Sequence, residues 1–462
     1  MAFAKAQPAV IGRDSRAVPP GPRGVSILWR LLRSRDGWLD FLTWCQRQYG
    51  NVVYFRFLTA PACLINDPAG IERVLVTDSR NFTKSMDYRA LSRVLGQGLL
   101  TSEGEFWKRQ RRLVQPAFFR DRILSYGGLM TSYTARMMET WQDGEVRDVH
   151  RDMMRVTLEI AARSLFNVEI EGAAGTIGRA LAVVMDQMPK LAGFAFLPDW
   201  VPVPGLGAFR RALADLDSVV YGIIRNRRET GEHPGDLLDM LLDARDESGA
   251  GMSDLQLRDE VMTLLLAGHE TTANTLSWTL HLLAQNPERQ ARLEAEVRTV
   301  LAGRAAEAAG LDRLPYLQMT LMEAQRMYPP AWAIGRKALL DFEVSGYRIP
   351  AGTNVVVSQW VLHRDPEFYP DPERFDPERW REESGGRRSL PKFAYLPFGA
   401  GPRVCVGASL ALTESALVLA TLIQRFRFSL ASAGPVKAFP SVTLRPKHGL
   451  RLRVERVVPI KN

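Results

Sequence analysis

The sequence predicts one large domain, mainly α-helical with small β-sheets. Three observations predict it. Apolar residues recur at helical spacing from about residue 68 to 330. Short apolar runs of strand character, bounded by turn residues, flank that region on both sides. No repeat and no linker divides the 462 residues, although that length alone would allow up to about three average domains.

Residues 1–24 form a Pro-containing lead-in ending in Pro19-Pro20-Gly21-Pro22, which is stiff and averse to helix. The domain then runs from 25 to 462. Val52–Phe57 and Ala62–Ile65 read as paired strands, with Thr59-Ala60-Pro61 as the turn. Gly and Pro break the helical region at 126–128, 198–207 and 231–235. Its longest helix is expected from near Ser253 to near Pro287. Val344–Val357 reads as strands with turns at Ser345-Gly346 and Ala351-Gly352. Residues 365–391, rich in Pro and charge, form a long irregular stretch of the kind that in a compact domain is functional or tightly packed. Helix returns at 407–424, and strand-like alternation closes the chain.

Composition excludes several classes. With 46% hydrophobic and 24% charged residues, the chain can bury a core without a disulfide or metal staple. No signal peptide or membrane span is expected; the most apolar window, Gly407–Ile423, is short and contains Glu414. The net charge is +9, but residues 1–35 and 436–462 each carry seven basic side chains against one acid. Two basic ends around a slightly acidic body argue against nucleic-acid binding. Three scattered cysteines form no disulfide framework and point to a reducing compartment, the cytoplasm.

Cys45 falls in a helical pattern and Cys63 in a strand, as core cysteines do. Cys405 differs. It lies in Phe398-Gly399-Ala400-Gly401-Pro402-Arg403-Val404-Cys405-Val406-Gly407, just before a helix. The glycines permit tight turns and close approach to a flat ligand. A helix N-terminus favours thiolate over thiol, so Cys405 is a candidate soft-metal ligand.

This run resembles the haem-binding loop of the cytochrome P-450 superfamily, Phe-x-x-Gly-x-Arg-x-Cys-x-Gly, at every fixed position. Three further motifs follow the family's order, so the resemblance covers most of the chain from about Pro19. Glu323-Ala324-Gln325-Arg326 is similar to the family's Glu-x-x-Arg, with acid and base on one helix face. The family completes that pair with an arginine from a Pro-Glu-Arg segment. Two occur here, and the spacing Phe-x-Pro-Glu-Arg-aromatic selects Arg379 over Arg374. Ala267-Gly268-His269-Glu270-Thr271-Thr272 resembles the oxygen-activating motif, in which Thr271 matches the hydroxyl and Glu270 the acid. Independently of the family, Thr271 can bond back to the Ala267 carbonyl, and Ala267-Gly268 leaves a small groove. Trp107 and Arg111 match a Trp-x-x-x-Arg that binds a haem propionate, and Arg336 and Arg403 match further propionate positions.

The resemblance implies the cytochrome P-450 fold, with a long central helix over haem b. It implies Cys405 as iron ligand and Phe398, Gly399, Gly407, Ala267 and Gly268 around the cofactor. The activity implied is insertion of one atom of O2 into a hydrophobic substrate, by hydroxylation or epoxidation. Soluble bacterial members share the pattern; Tyr88–Arg93 and Tyr328–Trp332 look similar to carotenoid-ring hydroxylases, and fatty-acid and terpenoid hydroxylases share the same framework. Leu264, Leu265, Ala331, Trp332 and Ala333, with Met86–Leu100 and an access lid over Phe194–Phe209, are the implied pocket candidates. No nicotinamide or flavin fingerprint is present, so electrons are expected from a separate ferredoxin or flavodoxin with its reductase, steered by Lys108, Arg109 and Arg112. The protein is expected to be a monomer. A peroxide-driven peroxygenase or isomerase, and a non-catalytic haem sensor, are the alternatives; the intact Glu270-Thr271 pair argues against both. Competing motifs fail: His269-Glu270 lacks the second histidine of HExxH, Gly407–Ala411 lacks the final glycine of GxSxG, and Gly205-Leu206-Gly207 is followed by Arg210 rather than glycine.

Overall fold

The structure is a computed structural model that describes residues 17–457, apart from residues 25, 35, 58, 194–203, 246–248, 250 and 433. Helices dominate, and all the strands but Val146–Asp148 lie before residue 85 or after residue 333. A five-stranded sheet runs in the order Val52–Phe57, Ala60–Ile65, Asn354–Val357, Ile334–Ala338, Phe82–Lys84. Its first pair is an antiparallel hairpin with Val52 opposite Ile65, and Cys63 pairs in parallel with Val355. The second strand starts two residues earlier than the sequence suggests. Pro61 sits opposite Arg56 before the parallel pairing begins at Ala62, where its missing N–H costs no ladder bond. Arg451–Arg456 pairs with both Val146–Asp148 and Phe426–Leu430, and Ala438–Pro440 with Leu444–Pro446.

The central helix spans Asp254–Gln285. Ser253 opens it with a capping box, its hydroxyl accepting from the Gln256 N–H while the Gln256 side chain accepts from the Ser253 N–H. Of its 32 residues, 25 are buried. It packs along Val149–Phe166 and against Ala408–Arg425, the helix that follows Cys405. The irregular stretch 365–391 is a series of turns and short 3₁₀ segments, including Pro377–Trp380. Among the described residues no helix is long and apolar enough to cross a membrane.

The candidate haem-thiolate site

In the central helix the residues that escape burial lie at the two ends, with three exceptions: Ala267 is exposed, and Gly268 and Thr271 are half-buried. Ala267 and Thr271 stand one turn apart, so one face of an interior helix borders open space. Thr271 Oγ1 donates to the Ala267 carbonyl at 2.8 Å. Gly268 faces a neighbour instead. A Cβ there would lie 3.7 Å from Ala161 Cβ, an ordinary contact, so Gly268 packs toward Val149–Phe166 while Ala267 faces the open space.

Glu270 points elsewhere. Its carboxyl is buried and accepts from Thr443 Oγ1 at 2.6 Å, and Thr443 Oγ1 in turn accepts from Asn274 Nδ2 at 3.0 Å. Burial raises its pKa, opposed by the Thr443 hydrogen bond and the charge of Arg445. The structure thus places Glu270 and Thr271 side by side in sequence but does not join their side chains by a hydrogen bond.

The cysteine loop is shaped by glycine where only glycine serves. Gly401 has φ +71°, and a Cβ there would fall 1.9 Å from the Leu75 carbonyl oxygen. Cys405 keeps accessible surface although protein crowds around it, so it lies in a recess. Burial pushes its thiol pKa up, against the pull of the Gly407 N–H and the Arg111 guanidinium. The lowering expected from the helix N-terminus is therefore outweighed by desolvation. Phe398 and Gly399 beside it are half-buried.

Cations gather around this loop. Arg111 donates to the Val404 carbonyl at 2.8 Å. Arg403 reaches over the Trp107 ring and pairs with Glu103. Arg336 is buried and bonds Tyr88, whose phenol is pushed up by burial. Lys84, which sequence reasoning missed, stands within electrostatic reach of Arg336 and Arg403 and is pushed down to about 7, chiefly by burial. Its ammonium donates to the Leu99 and Ser102 carbonyls. Arg403 Nη1 is buried without a hydrogen-bond partner. Lysine in a strand carries no sequence signal of its own here.

Glu323, Arg326 and Arg379 come together. Arg326 forks onto both Glu323 oxygens at 2.9 and 3.0 Å, both side chains at 0% exposure, and Arg379 adds a bond at 3.0 Å. Trp380 Nε1 donates a further bond at 2.9 Å.

The pocket candidates divide. Ala331 is exposed and Ala333 half-buried, while Leu264 and Leu265 are buried in the main core. Trp332 packs against the core cluster that holds Phe41, Phe55 and Val361, and donates Nε1 to the Ser441 carbonyl at 3.0 Å. Of the expected lid, Phe209 is buried, and Phe194, Phe196 and Trp200 lie outside the described residues. Lys108 and Arg112 are exposed and Arg109 is half-buried; Lys108 pairs with Glu105 at 2.5 Å.

The family model described as cytochrome P450 matches residues 19–452. The chain belongs to the cytochrome P-450 family. Relatives cover most of the chain. The cyclooctat-9-en-7-ol 5-monooxygenase of Streptomyces melanosporofaciens is 38% identical over 82% of this chain and 83% of its own. The pentalenene oxygenase of Streptomyces avermitilis is 32% identical over 97% of this chain and 98% of its own. Among solved structures, the cytochrome P-450DA haem domain superposes with a TM-score of 0.86 at 30% identity, covering 96% of this chain and 98% of that one. This cytochrome P-450 is accordingly a monooxygenase of mainly helical fold, and haem b is its cofactor.

Proposed function

We propose that this cytochrome P-450 oxidises a terpenoid, hydroxylating or epoxidising its hydrocarbon frame. The observation that carries the substrate class is the likeness, over most of both chains, to enzymes named for cyclooctat-9-en-7-ol and pentalenene. The small apolar side chain of Ala267, facing open space from an interior helix, is consistent with a hydrocarbon partner.

The residues at the site fit haem. Lys84, Arg336 and Arg403 crowd together near Glu103, Arg111 reaches the Val404 carbonyl next to Arg403, and the buried, unpartnered Arg403 Nη1 calls for an anion. The haem propionates supply two. Arg111, Arg336 and Arg403, with Trp107, would hold them, and Cys405 would ligate the iron, with Phe398, Gly399 and Gly407 shaping the loop around it. Haem bound by a thiolate supplies the oxygen chemistry, since electron density from the sulfur favours O–O cleavage. The chain's part is to place the substrate against Ala267, to hold a hydroxyl at Thr271, and to supply protons from Glu270. Glu323, Arg326 and Arg379 brace the segment beneath the loop.

Electrons would arrive from a separate ferredoxin or flavodoxin, docking where Lys108 and Arg112 are exposed. A monomer in the cytoplasm is consistent with this arrangement. Spin-state titration with a panel of terpenes, fatty acids and carotenoids tests the substrate class. Terpenes are expected to give the largest low-to-high-spin conversion; conversion by fatty acids or carotenoids alone contradicts it. Turnover with peroxide but never with reductant and O2 would establish the peroxygenase alternative instead.

A further inference from the structure

Thr443 lies 172 residues from Thr271 in sequence, outside every motif above. It sits in the turn before Leu444–Pro446, and this segment is pinned to the site by several bonds. The Leu444 N–H donates to the Pro330 carbonyl at 2.9 Å, Trp278 Nε1 donates to the Leu444 carbonyl at 3.0 Å, and Ser441 Oγ donates to the Met185 carbonyl at 3.1 Å. Thr443 is buried, and its hydroxyl lies between Asn274 and Glu270.

With the Asn274 amide nitrogen toward Thr443 and Glu270 ionised, the bonds run in one direction. An amide nitrogen only donates, so Thr443 Oγ1 accepts from Asn274 Nδ2. The single hydroxyl proton of Thr443 is then committed to Glu270 Oε1. At 2.6 Å this is the short contact of a hydroxyl with a carboxyl group. The chain Asn274 to Thr443 to Glu270 therefore runs one way and stabilises the ionised acid, in a place where burial disfavours it.

We infer that Thr443 is a positioning residue for proton delivery: its hydroxyl orients the Glu270 carboxyl and keeps it able to release and regain its proton. This rests on Glu270 acting as the acid beside Thr271. Other charged and titratable groups face the same spot. Arg445, on the strand that follows Thr443, favours the carboxylate and pairs with Asp186 of the Glu171–Gly193 helix. His150, from Val149–Phe166, lies within reach of Arg445 and is held neutral, at about 4, by burial. His269, next to Glu270, is turned to the Leu265 carbonyl. Asp186 is 58% exposed, so the Arg445–Asp186 pair forms the solvent end of this polar line.

The test reads Glu270 directly. In the haem-loaded enzyme, the infrared carboxyl band lost in Glu270→Gln belongs to Glu270, and its titration midpoint is followed in Thr443→Val and Thr443→Ser. Valine keeps the volume and removes the hydroxyl. Its midpoint is expected to rise by about one pH unit, the order expected for a lost hydrogen bond to a charged group. Peroxide release per electron pair should rise several-fold, and serine should restore both. An unchanged band and midpoint in Thr443→Val, with the protein folded and haem-loaded, overturns the inference. Coupling unaffected by Glu270→Gln would instead contradict the role of Glu270, independently of the band.

Discussion

Glu323 shows what a single buried carboxylate does here. It takes bonds from Arg326, Arg379, Trp380 Nε1 and the Asp376 N–H, with no exposure to water. Removing its charge leaves Arg326 buried and unpaired, a loss of about 3–5 kcal/mol. Glu323→Gln should therefore lower the urea midpoint and the haem content together; an unchanged midpoint contradicts the bracing role. Thr271→Ala should raise peroxide release at the expense of product, measured as peroxide per electron pair consumed; unchanged coupling counts against the hydroxyl's role. Glu260 carries a pH prediction. Burial holds it up at about 7, while the Leu99 N–H bonds its carboxyl at 3.1 Å. Its proton is retained in the fold while the unfolded chain sheds it, so stability falls as pH rises from the ordinary carboxylate range to about 7. Urea unfolding at a series of pH values should show the chain losing stability relative to Glu260→Gln as pH rises to about 7. A difference between the two that stays constant across that range contradicts the assignment to Glu260.

At the scale of elements, the cysteine loop and the central helix were legible because their constraints are local. Gly401 reads as special in sequence, and the structure gives the reason in the Leu75 carbonyl 1.9 Å from where a Cβ would be. Gly401→Ala should displace the loop and lower haem loading well below that of Gly268→Ala, whose new methyl would meet Ala161 at an ordinary 3.7 Å. Comparable loading of the two variants, by absorbance per protein, contradicts this. Lys84 and Thr443 were not legible. Each owes its place to pairing between distant segments, Lys84 opposite Arg336 across a sheet and Thr443 on a turn tied to Pro330. Glu270 was legible as a candidate acid, but its orientation toward Thr443 is a tertiary fact. Pro61 misled the strand boundary because proline is punctuation only where a ladder needs its N–H.

At the scale of the whole molecule, the +9 charge resolves into two basic ends and inward-facing arginines around the cysteine loop. Lys108 and Arg112 remain on the surface. Neutralising both should slow reduction by a ferredoxin or flavodoxin and flatten its salt dependence. An unchanged rate and salt slope places the dock elsewhere. The central claim is that Cys405 holds a haem iron through sulfur. The reduced carbon-monoxide spectrum tests it most directly. The protein is predicted to show the red-shifted Soret band of thiolate ligation, lost in Cys405→Ser. An unshifted band in the wild-type chain, or a red-shifted band that survives in Cys405→Ser, would contradict it.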